Sequence, residues 1–391
     1  MRRPLLLSVS ILCSLASGCG GEATSPGGDF EVPSNRTGPQ GPQGERGPPG
    51  PAGQYARIRT VSPGGSARDS GEALRKTLEG ILEPSADSPW LIYLEPGVYD
   101  LGEQGLHPRP YIYFQGAGAG LTTVRSTSAE PTFTAVAHSE LSALTVENRG
   151  GGPRAVALAT PSSDFRAHEL EALAQGGLER TAAIVATGAS GEVITQGAEF
   201  TRVRARAQAD AGSVAGLECQ DCTLRLTGST FRGEGGRQAV GVSAIGGSLE
   251  LWDTTADGFK GAEESLGVEA RSSAHLMLVR AEARGREAPA STGVRLSSST
   301  ASVRDSTLAG TGQPGHQTRA LDTSRVGRLT YKVEVERSTL VGASQVVRGA
   351  EGYSIFIGGS QLRGGQVEGG GMVACHGSYD ENFTSPAPAC P

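Results

Sequence analysis

The sequence predicts an all-β fold in which short parallel strands stack as the coils of a solenoid, a parallel β-helix. The main observation is a series of apolar dipeptides whose second members stand at 242, 268, 294, 321 and 347, in steps of 26, 26, 27 and 26. A repeat of this length indicates stacked units, each too small to bury its apolar side alone. The composition agrees, because 58 glycines and 5% aromatic residues in 391 residues favour a turn-rich β protein.

Two series of residues define the predicted coils. The first, the Val242 series, contains Gly241-Val242, Gly267-Val268, Gly293-Val294, Ala320-Leu321 and Val346-Val347. The second, the Phe231 series, runs in phase with it through Phe231, Ala256, Ala283, Leu308, Leu340 and Leu362. The Val242 series extends backwards through Ala155-Val156, Ala183-Ile184 and Gly216-Leu217. We therefore expect a β-helix over residues 55–366, with a short helical excursion where leucines are loosely helix-spaced inside 162–180.

The first residues carry the features of an export signal. Met1-Arg2-Arg3 is positively charged, and the apolar run at 5–12 that follows is too short to span a bilayer. The run at 15–19 then resembles a bacterial lipobox, whose cysteine is acylated and becomes the new N-terminus. This resemblance implies a signal peptide over residues 1–18, membrane attachment through lipid on Cys19, and an exported protein at the bacterial outer membrane or cell surface. The alternative is an ordinary secretory signal cleaved nearby, with Cys19 incidental.

A spacer follows the cysteine. Residues 19–37 are rich in Gly, Ser, Thr and Pro without an apolar pattern, which predicts a disordered tether. Residues 38–54 have Gly at every third position with frequent Pro, and resemble bacterial collagen-like segments. Two interpretations stay open, a triple helix that makes the protein a homotrimer or a monomeric stalk that its prolines keep extended.

A one-sided helix is predicted near the start of the β-helix. Ser70 is a suitable N-cap, and Ala73, Leu74, Leu78 and Ile81 share one face. Such a helix would cover the open end of the coil stack, where an exposed strand edge invites pairing with other chains.

The segments after this helix resemble a known group of proteins. Residues 90–100 form an apolar strand into Pro-Gly-Val-Tyr, residues 111–118 an apolar strand into Gly-Ala-Gly, and residues 141–148 end in Asn148 at a turn. Together they resemble the start of pectin-lyase-like proteins, among them pectin methylesterases, which are right-handed, single-stranded parallel β-helices. The resemblance implies that fold, which hosts esterases, lyases, glycosidases and non-catalytic proteins. The catalytic motifs of the methylesterases and the calcium-binding carboxylates of the pectate lyases are missing from this sequence.

One set of charged residues lies at coil spacing. Asp253 and Asp305 stand two coils apart, with Arg280 between them in the same register. At about 4.8 Å per coil their carboxylates would be about 10 Å apart, near the upper limit for an inverting glycosidase. The other interpretation is a solvated ladder of alternating charge. Trp252, beside Asp253, is either a platform for stacking a sugar or half-buried packing.

Four cysteines lie beyond the lipidation site, and an even number in an exported protein favours disulfides. Cys219 and Cys222 could be joined across a turn, or stay as free or metal-bound thiols. The tail at residues 367–391 holds Cys375 and Cys390 and resembles the C-terminal tails of bacterial collagen-repeat and tail-fibre-like proteins. That resemblance implies a Cys375–Cys390 disulfide, which would hold the tail over the last coil.

Charge and motifs narrow the function. A net charge of −6 without a concentrated basic face argues against nucleic acid as a partner, and no cofactor or metal site is expected. The leading hypothesis is a lipid-anchored surface protein that presents a non-catalytic β-helix on a stalk and binds glycan, matrix or another surface. The alternatives are a polysaccharide lyase or glycoside hydrolase acting on an extracellular glycan, and a structural trimer resembling phage tail spikes.

Overall fold

A computed structural model describes residues 57–161, 163–188, 197–384 and 390. The predicted signal peptide, tether and collagen-like segment lie outside these residues. The described part holds the helix α1 (Ala67–Glu79) and 32 strands.

The first half of the described chain holds β1 (Arg57–Val61), β2 (Trp90–Leu94), β3 (Gly97–Asp100), β4 (Ile112–Gly116), β5 (Thr122–Ser126), β6 (Phe133–Thr134), β7 (Ser139–Ser142), β8 (Thr145–Asn148), β9 (Arg154–Pro161), β10 (Phe165–His168), β11 (Glu171–Gln175), β12 (Arg180–Thr187), β13 (Ala198–Thr201), β14 (Arg204–Ala209), β15 (Ser213–Gln220) and β16 (Thr223–Thr227). The second half holds β17 (Thr230–Gly235), β18 (Gln238–Ile245), β19 (Ser248–Trp252), β20 (Thr255–Phe259), β21 (Glu264–Arg271), β22 (His275–Val279), β23 (Glu282–Arg286), β24 (Ala290–Ser297), β25 (Thr300–Arg304), β26 (Thr307–Thr311), β27 (Gln317–Ser324), β28 (Tyr331–Glu336), β29 (Thr339–Gly349), β30 (Tyr353–Gly358), β31 (Gln361–Gly369) and β32 (Met372–His376).

The strands stack in three parallel ladders, and each coil from β4 to β27 contributes one strand to each. The first ladder is a 13-stranded sheet in the order β1-β2-β4-β7-β10-β13-β16-β19-β22-β25-β28-β30-β32. The second runs from β3 through β5, β8, β11, β14, β17, β20, β23 and β26. The third runs from β6 through β9, β12, β15, β18, β21, β24 and β27. The long strands β29 and β31 continue both of the latter ladders. The predicted parallel β-solenoid is confirmed.

The register of both residue series follows the prediction over its main part. Val242, Val268, Val294, Leu321 and Val347 pair in succession in the third ladder. In the second ladder, the members of the Phe231 series also pair in succession: Phe231, Ala256, Ala283, Leu308, Leu340 and Leu362.

The upstream extension was correct from Val242 back through Leu217 to Ile184 and wrong at Val156. Ile184 pairs with Leu158, whereas Val156 pairs with Ala182. The run at 155–159 is apolar at every position, so it does not fix its own register. The helical excursion is also absent, because residues 163–180 hold the short strands β10 and β11.

Small buried hydroxyls line one inner corner of the stack, two residues after the end of several first-ladder strands. Ser338 Oγ donates to Glu336 O at 2.7 Å and accepts the Ser306 N–H at 3.1 Å. Ser306 repeats the arrangement with Arg304 O and Ala281 N. A short hydroxyl side chain satisfies a buried backbone group here without filling the turn, which accounts for the Ser-Thr pairs in the sequence.

The N-terminal end carries α1, whose N-cap is Ser66 and not Ser70, since the Ser66 hydroxyl accepts the Asp69 N–H at 3.1 Å. Leu74 is fully buried, and α1 packs against β3, the edge strand of the second ladder. Its role as a cap stays a prediction. On β1, the guanidinium groups of Arg57 and Arg59 lie 5.2 and 5.7 Å from the centre of the Trp90 ring.

At the other end, β32 pairs with β30, so the solenoid continues past residue 366. A disulfide joins Cys375 on this last strand to Cys390, with 5.1 Å between their Cα atoms. No helix in the described residues is long and apolar enough to cross a bilayer.

Candidate functional site

Asp253, Arg280 and Asp305 lie in the turns that leave the first ladder, at the same position of three successive coils. Each adopts a left-handed backbone, with φ of 50°, 48° and 50°. Arg280 donates from Nε and Nη2 to the two carboxylate oxygens of Asp253, both at 2.7 Å. Arg337 of the next coil binds Asp305 in the same way, at 2.8 and 2.9 Å. We call these four residues the turn ladder.

The electrostatics of the turn ladder do not suit acid catalysis. The Arg280 guanidinium holds the pKa of Asp253 below its ordinary value, and Arg337 does the same to the pKa of Asp305. Both carboxyls are therefore charged and bound bidentately to a cation, whereas a general acid must carry a proton near neutral pH. Trp252 is half-buried and donates to Glu250 at 3.3 Å. The geometry is that of the alternating charge ladder.

A second column of charged residues lies on the outer face of the third ladder. Each of these strands bends at the apolar dipeptide of the Val242 series, where two consecutive residues turn inward. At Gly241 a Cβ atom would stand 2.3 Å from Asp257 N of the following second-ladder strand, so the bend brings the two backbones together. The outward residues on either side of the bend, such as Val240 and Ser243, are consequently buried although they face away from the core.

The residue after each dipeptide points into this concave face. In coil order these residues form what we call the groove column: Glu218, Ser243, Glu269, Arg295, Asp322 and Arg348. Glu269 is 5% exposed and Asp322 is 2% exposed. Carboxylates are rarely buried to this degree on the outside of a fold unless they are paired or serve a site.

Glu269 is the group whose chemistry is most altered in the groove. Burial raises its pKa above the ordinary 4.5, against the opposing effect of Arg271 and Arg295. Its Oε2 lies 3.5 Å from Arg271 Nε and accepts a 3.5 Å hydrogen bond from Ser243 Oγ. A carboxyl that holds its proton at higher pH than usual can donate that proton to a bound molecule.

Around Glu269 the groove opens into a depression of about 330 Å³. Its lining includes the apolar side chains of Ala215 and Val240, which are almost fully buried, and of the partly exposed Ile245. Its sides carry hydrogen-bonding and charged groups, namely Arg180, Glu218, Gln220, Gln238, Ser243, Glu269 and Arg271. Arg180 and Glu218 form an ion pair across one side.

The groove downstream of the depression is closed by ion pairs. Arg295 binds Glu264, and Leu266 on the same strand as Glu264 is fully buried. Asp322 accepts from Arg348 Nε at 2.5 Å and Nη2 at 3.0 Å. The open part of the groove is therefore limited to the coils that contain Glu218, Ser243 and Glu269.

A disulfide lies just beneath the depression. It joins Cys219, which follows Glu218, to Cys222, with 5.7 Å between their Cα atoms, and both residues are buried. Within the described ranges no three His, Cys, Asp or Glu side chains are arranged to hold a metal ion.

Sequence reasoning missed Glu218 and Glu269, although a signal was present. Both follow the apolar dipeptides of the Val242 series directly, at the position that Ser243 and Asp322 occupy in other coils. The strand bend that buries this position could not be read from alternation, because alternation places the residue after an inward one on a solvated face.

No family model matches the sequence, and no curated protein matches it. Among solved structures, the catalytic unit of the GH87 α-1,3-glucanase from Streptomyces thermodiastaticus strain HF3-3 is 14% identical with a TM-score of 0.43, covering 87% of this chain and 72% of the glucanase. ORF18 of Geobacillus virus E2 is 10% identical with a TM-score of 0.37, covering 82% of this chain and 60% of the viral one. A pectin methylesterase in complex with a hexasaccharide is 11% identical with a TM-score of 0.29, covering 87% of this chain and 93% of the methylesterase. The fold assignment rests on the strand register of this chain, and these similarities carry no argument about function.

Proposed function

We propose that this chain binds an extracellular glycan in the depression of the groove. The observation that carries the proposal is a depression whose lining combines apolar side chains, of which Ile245 is partly exposed, with several hydrogen-bonding and charged side chains. Ligand sites in proteins combine apolar contact area with a few convergent polar groups, and a sugar ring presents an apolar face and a rim of hydroxyls that match both. The depression is small, so it would hold one or two sugar units of a longer chain.

The remaining parts of the proposal come from the N-terminal sequence. We infer that lipid on Cys19 anchors the protein to the outer membrane or cell surface, and that the tether and collagen-like stalk hold the β-helix away from it. In this view the protein is a surface receptor or adhesin for glycan, and a homotrimer if the collagen-like segments of three chains combine. Sedimentation of residues 36–391 tests the trimer, which a monomer would exclude.

A glycan array probed with residues 36–391 tests the binding proposal, using two variants of half-exposed arginines that each contact a carboxylate. Arg271→Ala removes a cation from the side of the depression, and Arg280→Ala removes one from the turn ladder. We expect Arg271→Ala to weaken binding of the array hits about tenfold, the loss of one charge-assisted hydrogen bond, and Arg280→Ala to leave it unchanged. Equal effects of the two variants, or an array without hits, would contradict the proposal.

The raised pKa of Glu269 favours a second candidate, a glycoside hydrolase. Glu218 and Glu269 occupy the same position two coils apart, about 10 Å at 4.8 Å per coil, with the small side chain of Ser243 between them. In an inverting reaction Glu269 would protonate the leaving glycosidic oxygen. Glu218 would take a proton from the water that attacks the anomeric carbon.

One variant separates a binder from an enzyme. Glu269→Gln keeps the shape of the depression but cannot donate a proton to a leaving group. If the protein is a hydrolase, new reducing ends appear with the wild type and fall at least a hundredfold with Glu269→Gln, while glycan binding persists. If the wild type binds glycan and releases no reducing or unsaturated ends, the protein is a non-catalytic binder.

A further inference from the structure

Arg180 lines the depression, and a second arginine lies beside it on the adjacent upstream strand, outside that lining. Arg154 on β9 and Arg180 on β12 are direct register partners, so their Cα atoms are about 4.8 Å apart at the usual spacing of strands. Like charges directly opposite each other in a sheet destabilise it. Such a pair therefore calls for a compensating anion.

The described residues supply only part of that compensation. Arg180 forms an ion pair with Glu218, and burial together with the neighbouring Arg154 charge lowers the pKa of Arg180. Arg154 is exposed and has no ion pair or side-chain hydrogen bond with any residue that the structure describes. Two cations thus share one carboxylate beside an open depression.

A second arginine pair in the same solenoid shows the difference. Arg206 and Arg232 are also direct register partners, in the second ladder. There Glu234 binds both, at 2.7 and 3.3 Å, and Asp257 lies 3.8 Å from Arg232. Each arginine of that pair therefore has a carboxylate partner, and Asp257 also binds Arg286.

We propose that Arg154 and Arg180 form a subsite for an anionic substituent, a carboxylate or a sulfate ester, on the glycan bound in the depression. The inference rests on the proposed glycan binding and adds the class of sugar that the site selects. A guanidinium offers parallel N–H donors that match two oxygens of either group, which makes arginine suited to this contact. The anion would complete the charge balance that Glu218 begins.

Binding of three polymers with one backbone tests the subsite: dextran, carboxymethyl dextran and dextran sulfate of equal length. Arg154→Gln is the test variant, because Arg154 is exposed and makes no ion pair among the described residues. The matched control is Arg363→Gln, an exposed arginine on β31 with no ion pair in the described part of the chain. Thermal unfolding of both variants verifies that each is folded.

We expect at least one charged dextran to bind the wild type about tenfold more tightly than dextran, and Arg154→Gln to remove that preference while Arg363→Gln keeps it. Which charged polymer responds identifies carboxylate or sulfate as the group recognised. If Arg363→Gln lowers binding as much as Arg154→Gln, the effect is nonspecific charge attraction and the subsite is excluded. If array glycans bind in the groove without any preference for charge, the subsite fails and the proposed function stands. If no glycan binds at all, both fail.

Discussion

The turn ladder and the groove column place carboxylates at the same two-coil spacing but in opposite surroundings. Asp253 is 48% exposed and Arg280 binds both of its oxygens, whereas Glu269 is 5% exposed and has a hydroxyl as its neighbour in the column. The pKa of the first carboxyl is lowered and that of the second is raised. Spacing along a solenoid therefore says little about chemistry until the shape of the surface and the residue between the two acids are known.

The physical cause of the difference is the bend in the third ladder. A turn residue with left-handed φ projects into water, where a cation from the next coil is the natural partner. In the groove the strand bends at the apolar dipeptide and Glu269 is buried. The resulting desolvation raises the pKa of Glu269 by more than Arg271 and Arg295 lower it. The following variants test whether burial, and not sequence pattern, separates the two columns.

The largest effect is expected from Asp322→Ala. It leaves Arg295, Arg319 and Arg348 without the carboxylate that each approaches within 3.7 Å. Breaking a buried ion pair by removing one partner costs about 3–5 kcal/mol, so urea unfolding followed by circular dichroism should show a loss of this size. Asp305→Ala in the turn ladder is the control and should lower the free energy of unfolding only slightly, because its partner Arg337 is exposed. Losses of similar size would contradict the comparison.

Ser243→Arg converts the groove column into the charge pattern of the turn ladder. The new cation would stand between Glu218 and Glu269 and fill the depression. We expect the pKa of Glu269 to fall and binding of array glycans to weaken more than tenfold, measured by carboxyl NMR titration and by biolayer interferometry. Ser302→Arg, on an outer face of the first ladder, makes the same change elsewhere and should leave both quantities as in the wild type. Unchanged glycan binding in Ser243→Arg would place the ligand outside the groove.

Glu269→Gln tests the raised pKa through stability. The folded protein holds this proton more tightly than the unfolded chain, so the free energy of unfolding falls as pH rises from about 4.5, the ordinary value, through the raised folded-state pKa. Glu269→Gln should remove this decrease. Between pH 4 and neutral pH, the free energy of unfolding of the variant should therefore rise relative to that of the wild type. Chemical denaturation at several pH values measures it. A wild type and a variant with parallel pH profiles would show that the carboxyl is not perturbed.

Arg280→Ser should give the smallest effect. The substitution places a hydroxyl between Asp253 and Asp305, which is the arrangement of Ser243 between Glu218 and Glu269 in the groove column, but on an exposed turn. The pKa of Asp253 should return to its ordinary 3.8 and go no higher, since burial is lacking. An NMR titration that places the pKa of Asp253 well above 3.8 would show that the column pattern alone raises it.

Prediction from the sequence succeeded where the repeat is regular and failed where the register is ambiguous. The Val242 and Phe231 series gave the correct pairing from Phe231 to Leu362, because apolar residues at coil spacing have one way to share a thin core. The run around Val156 is apolar at every position and so does not specify which residues are the inward pair, and its pairing was misplaced. The N-cap was predicted at Ser70 but lies at Ser66 for a similar reason, since either serine can accept a hydrogen bond from the N–H three residues later.

The surroundings of the two columns could not be predicted, for a different reason. Asp253, Arg280 and Asp305 are conspicuous in the sequence because they recur beside Ser-Thr pairs, and their spacing was correct. The exposure of that turn could not be deduced from the spacing, and neither could the burial of Glu269. The sequence by itself determined the repeat, the register of most coils and the identity of every charged group in both columns. Only the tertiary structure decided which column is in water, because desolvation depends on the bend that brings neighbouring strands together across the groove.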